Sequence, residues 1–470
     1  MSEFLYIKLE QRFSEEIEAG RWAAGERLPS VRELCREQGL SKATVLHAYS
    51  RLEARGLVEA RPKAGYFVRS QDAAPDMPST GDPDTVPALV TVPALIRDIM
   101  RKGAAFDLLP NADRRADVPA GIVELNRAVA RALRHQRGLQ HQYYDEPLGV
   151  QALRDQLMRR YQRRGCLFSA DQISITAGCQ HALFLSLLAT CQAGDVVAVE
   201  SPGFYGVIQL AESLGLRILE IPACTETGMD MDALSSALIE WPVKAVVVTP
   251  AFATPTGSLM PQAARARLLA LADQYDLVVI EDDIYSELSF TGSVTPLKAL
   301  DHNDRVILCG SVSKSLSRDL RLGWVVAGRW QARVDQLKLV NMLAGNRFIE
   351  QGVADFICDG GYDRHLRRLR GQLQSQRDQL MEMLQQEWDM TVRISQPEGG
   401  LCLWLELPEG IDTLACYPQA QAAGMVITPG GLFTSQSRYG NCLRLSFAHP
   451  WQGSRREALL SLGGLLQGAN

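Results

Sequence analysis

The 470-residue chain has no Cys-x-x-Cys pair and no run of about 18 apolar residues. Its ten cysteines stand singly, at 35, 166, 179, 191, 224, 309, 358, 402, 416 and 442. That spacing excludes zinc ribbons and dithiol redox motifs and suits small apolar residues in a reducing compartment. The missing apolar run excludes a membrane-spanning helix. The first residues, MSEFLYIKLEQRFSEEIE, are acidic and amphipathic and lack the apolar stretch of a signal peptide, so a cytoplasmic location is expected. Two catalytic signatures are absent as well. Neither Ser-Asp-Asn nor Lys-Thr-Gly occurs, and no segment fits the phosphate loop G-x-x-x-x-G-K-[ST]. The net charge of −5 argues neither for nor against a nucleic-acid partner, because charge can be unevenly distributed.

What is present is a globular composition, 46% hydrophobic and 22% charged, in a chain too long for one ordinary core. Residues 71–93 carry five prolines and four aspartates without helical or strand period, and read as a linker. They divide a head, 1–70, from a body, 94–470. In the head, Leu5, Leu9, Phe13 and Ile17 make one face of a helix from Phe4 to Ala19. Ser30 with Glu33 forms a capping box for a second helix, which Gly39 closes. Ser41 caps a third helix that runs to Gly56, and LVEARPKAGYFVRS alternates about a Pro-Lys-Ala-Gly turn. Helix, Gly-containing turn, helix and hairpin describe a winged helix-turn-helix.

Charge supports a DNA-binding role for this head. From Arg27 to Arg69 there are nine Lys/Arg against four Asp/Glu, a net of +5 within a chain of −5. Ser41, Lys42 and Thr44 open the third helix and suit a recognition helix, while Arg32 and Lys63 suit flanking phosphates. The competing reading is a three-helix protein-interaction module.

The body repeats strand-length apolar runs, each followed by glycine or polar residues and a helical period. They lie at 172–180, 195–206, 244–257, 277–288 and 305–314. Such runs suit strands buried on both faces of a mainly parallel sheet, an α/β architecture whose ligand sits beyond the strands' carboxyl ends. Those ends offer Gly178, Phe204, Pro255, Asp282, Tyr285, Ser311 and Lys314. After about residue 340 the pattern changes to a long Arg/Gln-rich helix, 364–387, and a smaller α+β unit. The large subdomain is placed at about 120–340 and the small one at about 341–470.

The stretch GSVSKSLSRDLRLGW, 310–324, admits three chemistries: a serine nucleophile, a phosphate loop, or a Schiff-base lysine. The missing partner motifs count against the first two. An amine in a desolvated pocket beside cations becomes nucleophilic near neutral pH. Pyridoxal phosphate needs such a lysine, a carboxylate at its ring nitrogen and a phosphate cup. Asp282 suits the ring nitrogen and Tyr285 the ring hydroxyl. The Thr176–Gln180 turn opens a helix whose amides suit the phosphate, with Ser311 and Arg321 completing the cup. Phe204 suits a ring-stacking place. Singly, each has a plainer reading: a helix cap for Asp282, a surface ion pair for Arg321, core packing for Phe204.

The head frame LPS-x-R…S-x-x-T-V…AY-x-x-L-x-x-x-G resembles the GntR-type winged-helix family. With S-x-S-K-x-L-x-x-x-L-R-L-G-W and E-D-D-x-Y-S-E-L in the body, nearly the whole chain resembles the MocR-type subgroup of GntR transcription regulators. That resemblance implies a fold-type I pyridoxal-phosphate aminotransferase body with a mainly parallel, seven-stranded-type sheet. It implies Lys314 as the cofactor-linked lysine, Asp282 and Tyr285 at the ring, and Gly178, Cys179, Gln180, Ser311 and Arg321 at the phosphate. It further implies that Tyr144 reaches the neighbouring subunit's phosphate and that Arg444 receives a substrate carboxylate. Two positions depart from the family pattern. Thr254 stands where Asn-Pro-x-Gly has its asparagine, and Arg318-Asp319 replace a Pro-Gly. Thr254 is shorter and leaves Tyr285 more of the ring-hydroxyl contact.

Two functions follow from these residues. One is a homodimeric regulator that binds paired operator half-sites and senses pyridoxal phosphate or an amino compound. The other is a working aminotransferase with an accessory head.

Overall fold

The computed structural model describes residues 5–23, 25–54, 57–61, 65–68, 118–135 and 144–468, with short stretches at 77–78, 83, 85–89, 95, 99 and 107–110. The chain divides into two compact units, Met1–Pro75 and Asp76–Asn470.

In the first unit, α1 (Leu5–Glu18) turns Leu9, Phe13 and Ile17 inward, as the four-residue spacing requires. Ser30 opens α2 (Val31–Gln38) with a complete capping box. The Glu33 amide donates to Ser30 Oγ over 3.3 Å, and the Ser30 amide donates to the Glu33 carboxylate over 2.7 Å. Gly39 ends α2 at φ 66°, a conformation glycine adopts without steric cost. The third helix, α3 (Lys42–Ala54), buries Val45, Ala48, Tyr49 and Leu52, and the Tyr49 hydroxyl donates to the Pro29 carbonyl at 2.6 Å. The wing is antiparallel β1 (Val58–Arg61) and β2 (Gly65–Val68), registered Val58↔Val68 to Arg61↔Gly65. Phe4, Gly56 and Lys63 lie outside the described residues.

The second unit is built on one mixed sheet. Its strands are β3 (Ala88–Leu89), β4 (Ser174–Thr176), β5 (Val196–Ser201), β6 (Arg217–Cys224), β7 (Gly228–Met229), β8 (Val243–Val248), β9 (Val278–Asp282), β10 (Val306–Ser311) and β11 (Gly323–Val326). Among the described residues the order is β3-β6-β5-β8-β9-β10-β11-β4, with β7 paired to β6. Strands β6, β5, β8, β9 and β10 run parallel, and β11 lies antiparallel between β10 and β4. Burial on both faces explains the continuous Val/Ile runs. Along β5, Val197 and Val199 enter one apolar cluster, while Val196 and Ala198 enter another on the opposite face.

Four large-sheet strands, β3, β6, β7 and β11, escaped the sequence reading. β6 carries a proline and a glutamate inside its run, and β11 has only four residues. A second sheet of this unit follows the long helix Gly361–Glu387. It is antiparallel and holds β12 (Arg393–Ile394), β13 (Cys402–Glu406), β14 (Thr428–Pro429) and β15 (Cys442–Ser446), in the order β12-β13-β15-β14.

Of the stretch read as linker, residues 85–89 are docked on the body. Trp241 Nε1 and Arg217 Nη2 donate to the Thr85 and Pro87 carbonyls, each over 2.9 Å, and β3 pairs with β6. Among the described residues no helix is long and apolar enough to cross a membrane.

Leu52, fully buried in the head, is replaced by a cavity in Leu52→Ala, at a cost of about 2–5 kcal/mol. Hydrogen exchange on the full chain should then show protection lost across α1–α3 and kept in the large sheet. Loss in both units would mean that they do not fold separately.

Candidate functional site

The register of four neighbouring strands gathers the candidate residues at one end of the sheet. Asp282 ends β9 beside Cys309, Ser311 ends β10 opposite Gly323, and Gly323 faces Thr176 at the end of β4. Lys314 follows Ser311 in a single helical turn, closed by the Leu316 amide donating to the Val312 carbonyl at 2.8 Å.

Asp282 is 5% exposed, and burial raises its carboxyl to about 6. Hydrogen bonding from the Cys179 thiol, the Lys314 charge and the Ile284 amide work against that rise, while Asp283 adds to it. The Lys314 amine is pushed well below the ordinary lysine range, first by burial, then by the Arg318 and Arg444 guanidinium charges; Asp282 opposes them. The result is a nucleophilic amine with a nearby buried carboxylate. Arg318, which the sequence left unassigned, is thus one of the cations that depress Lys314. Tyr285, 4% exposed, has its hydroxyl held protonated by burial.

The phosphate-cup candidates surround the helix Cys179–Thr190. Gly178 caps it at φ 98°, and a Cβ there would lie 2.8 Å from Arg321 Nη2. A Cβ on Gly323 would meet Gly178 Cα at 2.8 Å, so Gly323 is required by close approach and Gly178 by its positive φ. Arg321, at φ 47°, donates from Nη2 to the Ala177 carbonyl at 2.9 Å. The helix leaves its first amides pointing out of its N-terminus, beside a guanidinium. Ser311 Oγ lies 2.8 Å from the Leu322 carbonyl and accepts the Ser313 amide at 3.0 Å. Gln180 sends its side-chain amide to the Gly206 carbonyl, 2.9 Å away, and the Phe204 ring borders the same glycine.

Four side chains make contacts that the sequence did not specify. Cys179 turns its thiol away from the phosphate turn and donates to Asp282 Oδ1 at 3.0 Å. Thr254 directs its hydroxyl toward Arg444, whose Nη1 donates to it at 3.3 Å. In the head, the Ser41 and Thr44 hydroxyls bond each other at 2.8 Å, and Ser41 Oγ also accepts the Thr44 amide. Arg444 itself is 2% exposed in the middle of β15 and lies 5.2 Å over the Phe433 ring. Tyr144 is not part of this cluster; its side chain is 82% exposed. Arg32 and Lys42 lie exposed on the head.

Supporting contacts were invisible in the sequence because they join distant positions. Glu287 accepts from Arg160 and from the Tyr362 hydroxyl, which also bonds Ser315 at 2.6 Å. This ties the segments carrying Tyr285 and Lys314 to the long helix Gly361–Glu387. Asp283 faces the opposite way from Asp282, bonded to Tyr161 at 2.9 Å and to both terminal nitrogens of Arg164. Buried Glu220 accepts from Ser201, Thr434 and the amide and hydroxyl of Ser435, joining the large sheet to the loop beside Phe433.

A depressed lysine amine, a buried carboxylate, a helix N-terminus flanked by arginine and an arginine on the small sheet fit pyridoxal phosphate. The fold and this site define a pyridoxal-phosphate aminotransferase body of fold type I, carried on the same chain as a winged helix-turn-helix. Residues 116–461 match the aminotransferase class I and II family, and residues 5–68 match the bacterial regulatory proteins of the gntR family. The HTH-type transcriptional regulator YjiR of Escherichia coli is 35% identical, over 97% of this chain and 98% of its own. The kynurenine aminotransferase of Pyrococcus horikoshii, solved with PMP, superposes with a TM-score of 0.72 at 27% identity, covering 80% of this chain and 95% of that one. Thermus thermophilus LysN, an alpha-aminoadipate aminotransferase complexed with N-(5'-phosphopyridoxyl)-L-leucine, gives 0.70 at 29%, with the same coverage of both chains. The chain belongs to the HTH-type transcriptional regulators of MocR-type architecture, a GntR head with a pyridoxal-phosphate aminotransferase-like body.

Asp282 titrates at the ordinary 3.8 when unfolded and at about 6 when folded, so the folded chain holds the extra proton between these values. Stability of the cofactor-free chain therefore falls as pH rises across that window, and the full cost stands above it. Asp282→Asn should raise the melting temperature of the cofactor-free protein at pH 8, by on the order of 1–3 kcal/mol of stability, and much less at pH 4, while weakening cofactor binding. A stabilisation equal at both pH values would contradict the assignment.

Proposed function

We propose that the protein is a DNA-binding regulator whose body holds pyridoxal phosphate through Lys314 and senses the cofactor or an amino compound. The observation that carries this reading is the union, on one chain, of an exposed basic winged-helix turn and a lysine–carboxylate–anion site. A metabolic transaminase has no use for the former. The bound cofactor supplies an electrophilic aldehyde and an electron-accepting ring.

The chain's own residues then divide the tasks. Lys314 presents a neutral amine to the aldehyde, and Asp282 neutralises a protonated ring nitrogen. The protonated Tyr285 hydroxyl would donate to the ring oxygen, and Phe204 would pack on the ring. Gly178, Cys179 and Gln180 offer amides to the phosphate, with Ser311 and Arg321 beside them. Arg444 receives a carboxylate from an amino-compound ligand. Thr254 serves this site by orienting Arg444, since its hydroxyl accepts from that guanidinium.

We further infer a homodimer. Leu339, Val340 and Leu343 stand 45–82% exposed, and the neighbouring Lys338 donates to the Pro147 carbonyl. This exposed apolar ridge therefore runs close to the Tyr144 segment. A second copy covering it would hide the ridge and bring Tyr144 to the partner's phosphate. Two heads on a two-fold dimer read two half-sites, in the cytoplasm, where DNA lies. In the head, Lys42, Arg32 and Lys63 serve DNA through their charge. Ser41 and Thr44 act chiefly by holding the first turn of α3.

Sites selected from randomised duplexes by the full-length protein should contain paired repeats. Lys42→Ala should lower affinity for them about 3–10-fold and flatten the salt dependence by about one unit of log–log slope. Absence of any selected motif at physiological salt would end the DNA-binding reading. Independently, the loaded protein should show a visible absorbance band that Lys314→Ala removes. A band of unchanged position and intensity in that variant would remove the lysine from its role.

A further inference from the structure

We propose that Cys179 is a positioning residue, whose thiol fixes one oxygen of Asp282 so that the other is presented to the cofactor ring nitrogen. The proposal rests on the reading of Asp282 given above and adds to it the group that orients the carboxylate.

The geometry is direct. Cys179 Sγ lies 3.0 Å from Asp282 Oδ1, within the range of a sulfur donor. Both residues are buried, at 5% exposure each. Cys179 is the first residue of the helix Cys179–Thr190, and Gly178 is its cap. One residue thus opens the helix at the phosphate turn and touches the carboxylate at the end of β9. It fixes the separation between two anchor points that the cofactor must span.

The direction of the hydrogen bond is also settled. Burial and the Asp282 charge keep the Cys179 thiol protonated, so sulfur donates and the carboxylate accepts. A carboxylate so engaged by the thiol, and held as well by the Ile284 amide, has lost a rotational option while its two oxygens keep further acceptor capacity. The thiol is a weak donor, but this acceptor is ionised and water is excluded, conditions that strengthen a hydrogen bond. Other titratable groups act on Asp282 at the same time. Asp283 raises its carboxyl and Lys314 lowers it, while Cys309, Glu200 and Tyr285 lie within electrostatic range.

The test compares wild type, Cys179→Ala and Cys179→Ser in the full-length protein. Cofactor affinity is read by fluorescence from pH 5.5 to 8.5, and melting of the cofactor-free chain serves as a packing control. Cys179→Ala should bind the cofactor about 5–10-fold more weakly at neutral pH, with the deficit widening as pH falls toward the Asp282 titration. Cys179→Ser, which keeps a donor, should stay within about 2-fold of wild type and hold its affinity to lower pH. Equal affinity for wild type and Cys179→Ala, or a serine variant as weak as the alanine one, overturns the proposal. Should Cys179→Ala fail to fold, Cys179→Ser decides alone, since an affinity–pH profile unmoved or displaced toward higher pH contradicts a donor role. A wild-type protein that takes up no cofactor at all would instead overturn the underlying reading of the site.

Discussion

The site depends on the energetic cost of burying an amine among cations. Lys314 is desolvated and placed near Arg318 and Arg444, with the buried Asp282 carboxylate opposing them. In the cofactor-free chain neither Lys314 nor Asp282 is comfortable as an ion, and the surrounding structure has to hold them together. It does so by backbone register. β9, β10, β11 and β4 set Asp282, Ser311 and Thr176 at one end of the strands, and Gly323 approaches the Gly178 backbone too closely for any side chain. A ligand that brings an aldehyde, a phosphate and a protonated ring nitrogen relieves each of these strains at once. Binding energy and site geometry are therefore two expressions of the same constraint.

For a regulator, that constraint has a second consequence. A ligand can shift the head's affinity for DNA only by binding two states of the protein unequally. The lysine turn is well placed to report occupancy. Ser315, next to Lys314, bonds Tyr362 at the start of the long helix, and Tyr362 bonds Glu287, two residues beyond Tyr285. On the other side, Glu220 joins the large sheet to the loop beside Phe433, over which Arg444 lies. The lysine turn is thus bonded to the long helix, and the loop that carries Phe433 under Arg444 is bonded to the large sheet.

Much of this was legible in the sequence, for identifiable reasons. The capping box at Ser30 and Glu33 is local and appears as expected. The Val/Ile runs became strands β5, β8, β9 and β10 because burial on both faces leaves little other composition available. Lys314, Asp282 and Tyr285 could be picked out because they sit at strand ends, where α/β sheets place ligands. What escaped depends on contacts across the chain. β11 is too short to show a period and is held only by its neighbours. The turn of the Cys179 thiol toward Asp282, 103 positions away, has no local signature. Arg318 looked like an unexplained departure until its charge was found acting on Lys314. Residues 85–89 looked like linker by composition, yet Trp241 and Arg217 hold them on the body.

The central claim is that occupancy of the Lys314 site and DNA binding by the head are linked. The most direct measurement is fluorescence anisotropy of a selected operator duplex titrated with the full-length protein at one fixed salt concentration. It is run cofactor-free, cofactor-loaded, and loaded in the presence of a panel of amino acids, with Lys314→Ala as control. The account predicts that the dissociation constant for DNA moves by roughly 5–150-fold between at least two of these states, and that Lys314→Ala abolishes the movement. Superimposable titrations in every state, with cofactor uptake verified, would contradict it.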